Sequence, residues 1–260
     1  MGFWNILLDG AILVLILMTI VWIISVFIKN VSIVDSIWGL GFVILAWFYF
    51  FQTDGFMTRK IILLALVTTW GLRLSIYITW RNWGEGEDYR YQNFREKYGE
   101  NYWWISFFQT FLLQGVLMIL ISAPLLAAQM FVRNHSLNTF DFLAIGIWII
   151  GFTFEAGGDW QMAKFKKERK DKSEVLDTGF WKYTRHPNYF GDAAQWWGYG
   201  LFSIAACSYW PIIGSILMTI LLIKVSGVAL LEKDLKDTKP KYKDYIEKTS
   251  AFLPWFPKNR

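Results

Sequence analysis

Long apolar runs divide the sequence, and several of them reach the length needed to cross a lipid bilayer. A membrane-spanning helix needs about 20 mostly apolar residues. The first such run, Phe3 to Ile28, carries only Asp9, and another, Phe107 to Val132, carries no charge and contains Pro124 as an expected kink. Charged residues make up only 18% of the chain, whereas soluble domains carry about 25%. The chain is therefore predicted to be an all-α, polytopic membrane protein.

Seven apolar runs meet or approach the spanning length. The other five are Val31 to Phe51, Ile61 to Trp80, Phe140 to Gly158, Tyr189 to Tyr209 and Trp210 to Leu231. No internal repeat or linker divides the chain, so residues 1–260 are predicted to form one domain of seven transmembrane helices. The first run lacks a basic amino end and a cleavage pattern, so it is expected to remain as a helix rather than be removed as a signal peptide.

The cations between these runs are distributed asymmetrically. The odd-numbered connections are 29–30, 81–106, 159–188 and the tail from residue 232. They hold 21 of the 26 Lys and Arg residues, whereas the even-numbered connections hold Arg59, Lys60 and Arg133. Cytoplasmic loops of membrane proteins are enriched in Lys and Arg. The carboxyl terminus is therefore predicted to be cytoplasmic, at the inner membrane if the protein is bacterial, with the amino terminus outside.

Charge and cysteine content exclude two classes of partner. The net charge of +5 is accounted for by this topology, since no basic face on a soluble fold is available for nucleic acid. The single cysteine, Cys207, excludes an intramolecular disulfide and a thiolate metal cluster. Neither nucleic acid nor a metal is expected as a partner.

A polar stretch follows the fifth apolar run. Glu155, Asp159 and Lys166 have spacings that place them on one helical face. Such a charged stripe at the cytoplasmic end of a span suits a ligand site, and it is equally typical of a solvated helix end.

The sixth apolar run opens with polar residues and continues with two tryptophans. The polar residues are Arg185, His186, Asn188 and Asp192. A helix amino terminus with Arg and His beside it is suited to binding a phosphate. Trp196 and Trp197 could wall a flat ring or belong to an interfacial aromatic belt.

At this point the residues resemble a known family. The string GFWKYTRHPNYFGD, from Gly179 to Asp192, is similar to the carboxyl-terminal signature of the steroid 5-alpha-reductase-like membrane proteins, and more narrowly of their bacterial DUF1295 branch. Three further stretches agree: WGLRL from Trp70, EDYRY from Glu87 to Tyr91 and TSAFLPW from Thr249 to Trp255. The shorter RHP-x-Y core is shared with membrane methyltransferases of the isoprenylcysteine carboxyl methyltransferase type.

The resemblance implies an NADPH-dependent oxidoreductase acting on CH–CH groups. NADPH would lie in a cavity between the carboxyl-terminal helices, capped by cytoplasmic loops, so that 140–260 forms the cofactor side and 1–132 the substrate side. Hydride would go to the β carbon of an enone, in the best-known case a 3-oxo-Δ4 steroid. With His186 from the phosphate argument, the cofactor-binding residues are Glu155, Asp159, Lys166, Arg185, His186, Asn188, Tyr189 and Asp192. The steroid reductases have Asn where this chain has Glu155.

The resemblance also implies a substrate site. Asp35 lies near the position of a glutamate that binds the substrate carbonyl in the steroid reductases, and Trp38 follows it by nearly one turn. Those enzymes have a tyrosine three residues before an arginine on the third span, where this chain has Trp70 and Arg73. Tyr77 is the candidate replacement for the missing tyrosine. Asp35 and Tyr77 are thus the predicted catalytic residues, and Trp38, Trp70 and Arg73 the predicted substrate contacts.

Asp35 is also notable on physical grounds, because it is the only charge in the second apolar run. A carboxylic acid buried in an apolar bundle can stay protonated and donate a hydrogen bond to a carbonyl oxygen on which negative charge develops. The alternative is a pair with Arg73 that stabilises the bundle. The arginines and acids between Arg81 and Glu96 alternate, which indicates an internally neutralised loop, some of whose arginines could also reach a phosphate.

Three functions are compatible with these patterns. The first is the NADPH-dependent reductase, with a hydrophobic, steroid-like or other lipid substrate and membrane lipid around it. The second is an S-adenosylmethionine-dependent membrane methyltransferase, and the third a transporter or structural protein. Transporters often have paired repeats or broken helices, which are not seen. No G-x-G-x-x-G follows a strand, so a dinucleotide would bind inside the helical bundle. The loop cations, which could hold a 2′-phosphate, favour the reductase.

Overall fold

A computed structural model describes residues 1–132, 135–171, 173–225 and 242–258. These residues form helices and no strands, which confirms the predicted all-α class. The α-helices are α1 (Phe3–Ile28), α2 (Ile33–Gln52), α3 (Met57–Asn82), α4 (Tyr89–Tyr98), α5 (Tyr102–Ser106), α6 (Leu113–Met130), α7 (Thr139–Glu168), α8 (Pro187–Ala205), α9 (Ile213–Ile220) and α10 (Tyr242–Lys248). The chain forms two compact units, the first comprising 1–137 and 202–211 and the second 138–201 and 212–260.

Five helical segments among the described residues are long and apolar enough to cross a membrane, so the protein is a multi-pass membrane protein. They are α1, α2, α3, the continuous segment Tyr89–Met130, and α7. Within Tyr89–Met130, a 3₁₀ turn at Gly99–Asn101 and a π-helical segment at Phe107–Leu112 join α4, α5 and α6. These five correspond to the first five predicted spans.

The last two predicted spans differ from the first five. The run from Tyr189 to Tyr209 forms most of α8, whose first half carries polar residues that lower its hydropathy. The run from Trp210 to Leu231 is described only as far as Val225, and the apolar helical segment Trp210–Lys224 is short. Residues 226–231 lie outside the described residues.

In the first unit, α2 and α3 approach each other through glycines. A Cβ on Gly39 would lie 2.5 Å from the Gly71 carbonyl oxygen, and one on Gly71 would lie 2.6 Å from the Gly39 carbonyl oxygen. Small residues allow this close backbone approach, which is a common basis of helix association in membranes. The contact fixes the rotation of α2 and α3 about their axes, and therefore which side chains of the two helices lie on each side of the contact.

The connections of the first unit meet at two ends. At one end, the Val31 amide donates to Glu87 Oε1 at 2.8 Å, which joins the α1–α2 connection to the segment after α3. At the other end, the Phe3 ring stacks on Phe131 at 5.9 Å and contacts the Trp210 ring edge-on at 5.0 Å. The odd-numbered and even-numbered connections of this unit therefore lie at different ends, as a back-and-forth topology requires.

Arg59 and Lys60, which were predicted to lie in a connection, belong to the first turn of α3 and are buried. Lys60 Nζ donates to the Phe50 carbonyl oxygen at 2.9 Å and to that of Thr53, which lie at the carboxyl end of α2. Arg59 Nη2 donates to the Ala205 carbonyl oxygen at 3.3 Å. Cations favour such helix carboxyl ends because the carbonyl groups there lack helical partners. These two charges are thus internal helix caps rather than charges of an exposed loop.

In the second unit, α7 and α8 pack with their backbones in contact. A Cβ on Gly191 would lie 2.4 Å from both the Gly151 carbonyl oxygen and the Glu155 amide nitrogen. Further along, one on Gly158 would lie 2.9 Å from the Pro187 ring. α7 starts with a capping box formed by Asn138 and Asp141. The result is a narrow interface in which polar side chains of the two helices face each other.

Candidate functional site

Asp35 lies in the first turn of α2, where its carboxylate accepts two hydrogen bonds. Arg90 Nη2 donates to Oδ2 at 2.7 Å, and the Tyr91 hydroxyl donates to Oδ1 at 2.8 Å. The prediction that Asp35 stands alone at bilayer depth is therefore wrong, since Arg90 and Tyr91 both bind it. The physical reason is that the segment after α3 folds back under the start of α2 and brings a guanidinium to the acid.

Asp88 anchors the same segment. It caps α4 by accepting from the Arg90 amide at 3.0 Å, its carboxylate pairs with Arg90 Nε at 2.8 Å, and its own amide donates to Ser32 Oγ at 2.6 Å. Partial burial alone would raise the pKa of Asp88, but the hydrogen bonds from Arg90 and the charges of Arg90 and Arg81 outweigh it and lower the pKa. Arg90 is thus held between two carboxylates.

Glu87 completes this charged cluster. Its carboxylate forms a bidentate pair with Arg95, with both N–O distances at 2.8 Å, while it accepts from the Val31 amide. The predicted internal neutralisation of this loop is confirmed by the Glu87–Arg95 and Asp88–Arg90 pairs. We call Asp35, Glu87, Asp88, Arg90, Tyr91 and Arg95 the acid–arginine cluster.

The other predicted substrate residues lie on α2 and α3. Trp38 is half-buried against the edge of Phe42, with ring centroids 5.3 Å apart, and Trp70 is fully buried. The Tyr77 ring has two guanidinium groups near it, Arg73 at 5.2 Å and Arg81 at 5.9 Å from the ring centroid. Tyr77 and Arg73 are thus brought together.

An open apolar cleft of about 500 Å³ lies between α2 and α3. This volume falls within the usual range of small-molecule sites, ~300–1,000 Å³. It is lined by Ser36, Ile37, Leu40, Leu72, Ser75, Ile76, Thr79, Trp80 and Trp83. None of the five predicted catalytic or substrate residues is in this lining, although Asp35 directly precedes Ser36 in the chain.

In the second unit, two buried acids of α7 face amide side chains of α8. Gln195 Nε2 donates to Glu155 Oε2 at 2.5 Å, and Asn188 Nδ2 donates to Asp159 Oδ1 at 3.1 Å. We call these four residues the α7–α8 seam. Within the described part of the chain, the Gln195 side-chain oxygen has no hydrogen-bond partner although the residue is fully buried. An acceptor left in this way costs about 1–3 kcal/mol, so a donor from a ligand would be favourable there.

The Arg-His-Pro-Asn-Tyr string lies at the start of α8. The Arg185 guanidinium donates to the carbonyl oxygens of Ile246 at 3.1 Å and Thr249 at 2.5 Å, which are at the carboxyl end of α10. The imidazole of His186, which is buried, stacks on the Tyr189 ring with centroids 5.7 Å apart. Arg185 therefore has a definite structural task, which is to hold the segment that follows α10.

The remaining predicted residues of this unit differ in exposure. Asp192 is buried in α8, and Lys166 is exposed near the carboxyl end of α7. Trp196 is fully buried with its ring edge-on to Tyr199, while Trp197 is part-exposed and donates to Thr219 Oγ1 at 3.1 Å. One tryptophan is thus a core residue, and the other lies at the periphery of the unit.

Three functional candidates were missed as site residues by the sequence: Arg90, Tyr91 and Gln195. Arg90 and Tyr91 belong to the EDYRY stretch, which was interpreted as part of the family resemblance and of a neutralised loop, and their partner Asp35 is 55 and 56 residues away. Gln195 is one turn from Gly191, the contact point with α7. A polar residue one turn from a helix-contact glycine is the signal that could have found it.

Comparison with known proteins gives a family and one relative. Residues 21–249 match the family described as proteins of unknown function, DUF1295. The chain is similar to an uncharacterized protein of Schizosaccharomyces pombe, with 24% identity over 276 residues that cover 94% of this chain and 78% of the yeast protein. No solved structure matches the chain. Since the family match covers well over half of the sequence, the chain belongs to the DUF1295 family.

Proposed function

We propose that the protein is a seven-helix membrane reductase that uses NADPH to reduce a carbon–carbon double bond conjugated to a carbonyl in a lipidic substrate. The observation that carries this proposal is the α7–α8 seam, where the buried acids Glu155 and Asp159 face amide side chains of α8. The resemblance to steroid 5-alpha-reductase-like proteins assigns three of these four residues, Glu155, Asp159 and Asn188, to the cofactor. The seam offers both acceptors and amide donors, the groups needed to bind ribose hydroxyls and a carboxamide.

The residues of the second unit fit the cofactor in chemical type. The unpartnered oxygen of Gln195 can accept from a carboxamide or a hydroxyl. Glu155 and Asp159 supply further acceptors, and exposed Lys166 supplies a cation for a phosphate. When bound, NADPH would supply the hydride for the β carbon of the enone, and a proton from water would complete the reduction at the α carbon.

The acid–arginine cluster supplies the donors for the substrate carbonyl. The Asp35 carboxylate accepts hydrogen bonds from Arg90 and Tyr91, so its role here is to position these two donors. Arg90 uses Nε and Nη2 on its two carboxylates and has further N–H groups on Nη1. The Tyr91 hydroxyl can turn its proton from Asp35 to the carbonyl oxygen. Both groups would stabilise the enolate charge.

The first experiment identifies the cofactor. Purified protein is denatured, and the extract is analysed by mass spectrometry for NADP(H) and S-adenosylmethionine. NADP(H) is expected. S-Adenosylmethionine alone would reject the reductase and favour the methyltransferase that shares the RHP-x-Y core.

The second measurement tests the phosphate contact with a matched pair of variants. Lys166→Ala is expected to weaken NADPH binding, because a charge-assisted hydrogen bond contributes about 1.5–3 kcal/mol, or roughly ten- to a hundredfold in affinity. Lys167→Ala removes an equally exposed cation from the next residue and is expected to bind NADPH as the parent does. Equal affinities of the two variants would remove Lys166 from the site. Arg185→Ala is less informative, because it also releases the α10 carbonyls.

We also propose that the acid–arginine cluster faces the cytoplasm and that the carboxyl terminus lies on the same side. The burial of Arg59 and Lys60 supports this orientation, since it leaves the connections at the opposite end poorer in exposed cations. Cys207 is exposed near the end that holds Phe3. In intact cells a membrane-impermeant maleimide is expected to label Cys207. A Glu85→Cys variant with Cys207→Ser is expected to react only after permeabilisation, and the reverse pattern would invert the topology.

A further inference from the structure

The segment after α10 exposes large apolar side chains at neighbouring positions. Leu253 is 66% exposed, Trp255 73% and Phe256 75%. Contiguous apolar exposure outside a membrane span marks a surface that meets another apolar phase. Residues 251–258 are not helical, so these side chains do not belong to a further span.

This segment is nevertheless firmly held by the string that precedes α8. The Arg185 amide donates to the Ser250 carbonyl oxygen at 2.9 Å, and Thr184 Oγ1 donates to that of Phe252 at 2.9 Å. The Trp255 amide donates to the Tyr183 carbonyl oxygen, also at 2.9 Å. The exposed side chains thus project from an ordered backbone.

The position of the string along α7 gives the level of this segment in the membrane. Trp181 Nε1 donates to the Gly158 carbonyl oxygen at 3.0 Å, and the Pro187 ring lies against Gly158. The uncharged part of α7 ends at Phe154, and charged residues follow it. The string therefore lies where a spanning helix leaves the hydrocarbon and enters the headgroup region, the depth that Trp prefers.

Two exposed lysines belong to the same pair of segments as the exposed apolar side chains. Lys182 and Lys258 are exposed at the two ends of the bound segments, and the Lys258 amide is tied to the Lys248 carbonyl oxygen at 3.0 Å. Juxtamembrane lysines are attracted to anionic lipid headgroups. The apolar side chains suit the boundary with the acyl chains of an anionic bilayer, and the lysines suit its headgroups.

We propose that residues 251–258 dock on the headgroup region of an anionic bilayer, with Leu253, Trp255 and Phe256 inserted below the phosphates. The bilayer then fixes the position of residues 251–258. Their segment in turn fixes the Tyr183–Arg185 backbone, just before α8, through the hydrogen bonds between them. The inference does not depend on the reductase activity. It makes membrane composition a factor in the position of the Arg-His-Pro string.

The test places single nitroxide labels in the full chain reconstituted in phosphatidylcholine vesicles containing phosphatidylglycerol. Cys207→Ser removes the only cysteine, and Phe256→Cys and Leu253→Cys carry the label. Asp244→Cys, exposed on α10, is the matched control. The ratio of collisions with oxygen to collisions with an aqueous nickel chelate is expected to be severalfold higher at 253 and 256 than at 244. Ratios equal to that at 244 would overturn the proposal and leave the surface to a protein partner.

The charge contribution is tested separately. Lys182→Glu with Lys258→Glu, in the same vesicles, is expected to lower the ratio at 253 and 256 toward the value in phosphatidylcholine alone. A ratio that responds neither to the two substitutions nor to removal of phosphatidylglycerol would overturn the anionic part of the proposal. Having two labelled positions keeps the test decisive if one cysteine variant does not fold.

Discussion

The acid–arginine cluster and the α7–α8 seam satisfy their carboxylates in different ways. In the first cluster, each of Asp35, Glu87 and Asp88 lies within 2.8 Å of an arginine nitrogen, and Asp35 and Asp88 remain partly exposed. In the seam, the buried acids Glu155 and Asp159 accept from amides of α8. Moving a guanidinium from a carboxylate to a ligand separates two opposite charges, whereas moving an amide gives up only one neutral donor and costs less. The first cluster is therefore a fixed frame, and the seam is suited to adapt to a cofactor.

The largest expected effect tests whether that frame is also catalytic. Tyr91→Phe removes one donor to the developing oxyanion. This is expected to raise the activation free energy by about 2.7–4 kcal/mol, which lowers turnover a hundred- to a thousandfold. NADPH oxidation with an enone lipid measures the turnover, and NADPH affinity is expected to be unchanged. Tyr77→Phe is the matched control, because it also removes a phenol hydroxyl, from a ring that lies near the Arg73 and Arg81 guanidinium groups.

The opposite result would change the comparison. Loss of turnover in Tyr77→Phe with normal turnover in Tyr91→Phe would place the carbonyl on the Arg73 face of α3. The acid–arginine cluster would then serve only to hold α2 and α4 together.

The next effect concerns the seam and its close helix contact. Gly191→Ala would place a Cβ 2.4 Å from backbone atoms of α7 at both Gly151 and Glu155, and the backbone there cannot yield as a flexible side chain would. We expect a loss near the upper end of the range for overpacking, about 3 kcal/mol, measured as a lower thermal midpoint in detergent. Gly146→Ala on α7 meets nothing within 4 Å and is expected to be neutral or slightly stabilising. Equal midpoints for the two variants would mean that the helices are not in contact there.

Hydropathy and charge patterns, which are local, predicted the first five spans and the neutralised loop. The partners of Asp35 and Glu155 could not be predicted in the same way, because they depend on packing between segments 55 and 40 residues apart. Nothing in the second apolar run shows that the chain after α3 returns to it. Likewise, the sequence suggested Arg185 as a cation for a phosphate, and only the fold shows that its guanidinium binds the carbonyl oxygens of Ile246 and Thr249. The residue types were therefore readable from the sequence, while their partners required the tertiary structure.

The smallest expected effect tests how much the charges of the frame contribute to stability. The pKa of Asp88 is lowered in the folded protein, so its ionised form stabilises the fold above its ordinary range near pH 4, and this contribution is lost as the pH falls through the lowered value. Asp88→Asn is expected to be less stable than the parent at pH 7 by under about 1 kcal/mol, since partly exposed pairs contribute little. The difference should shrink as the pH falls below 4. Thermal midpoints from pH 7 to 3 measure it, with the exposed Glu85→Gln as the control. A difference that stays constant with pH would mean that the charge of Asp88 does not contribute to stability, since an Asn side chain keeps the α4 cap.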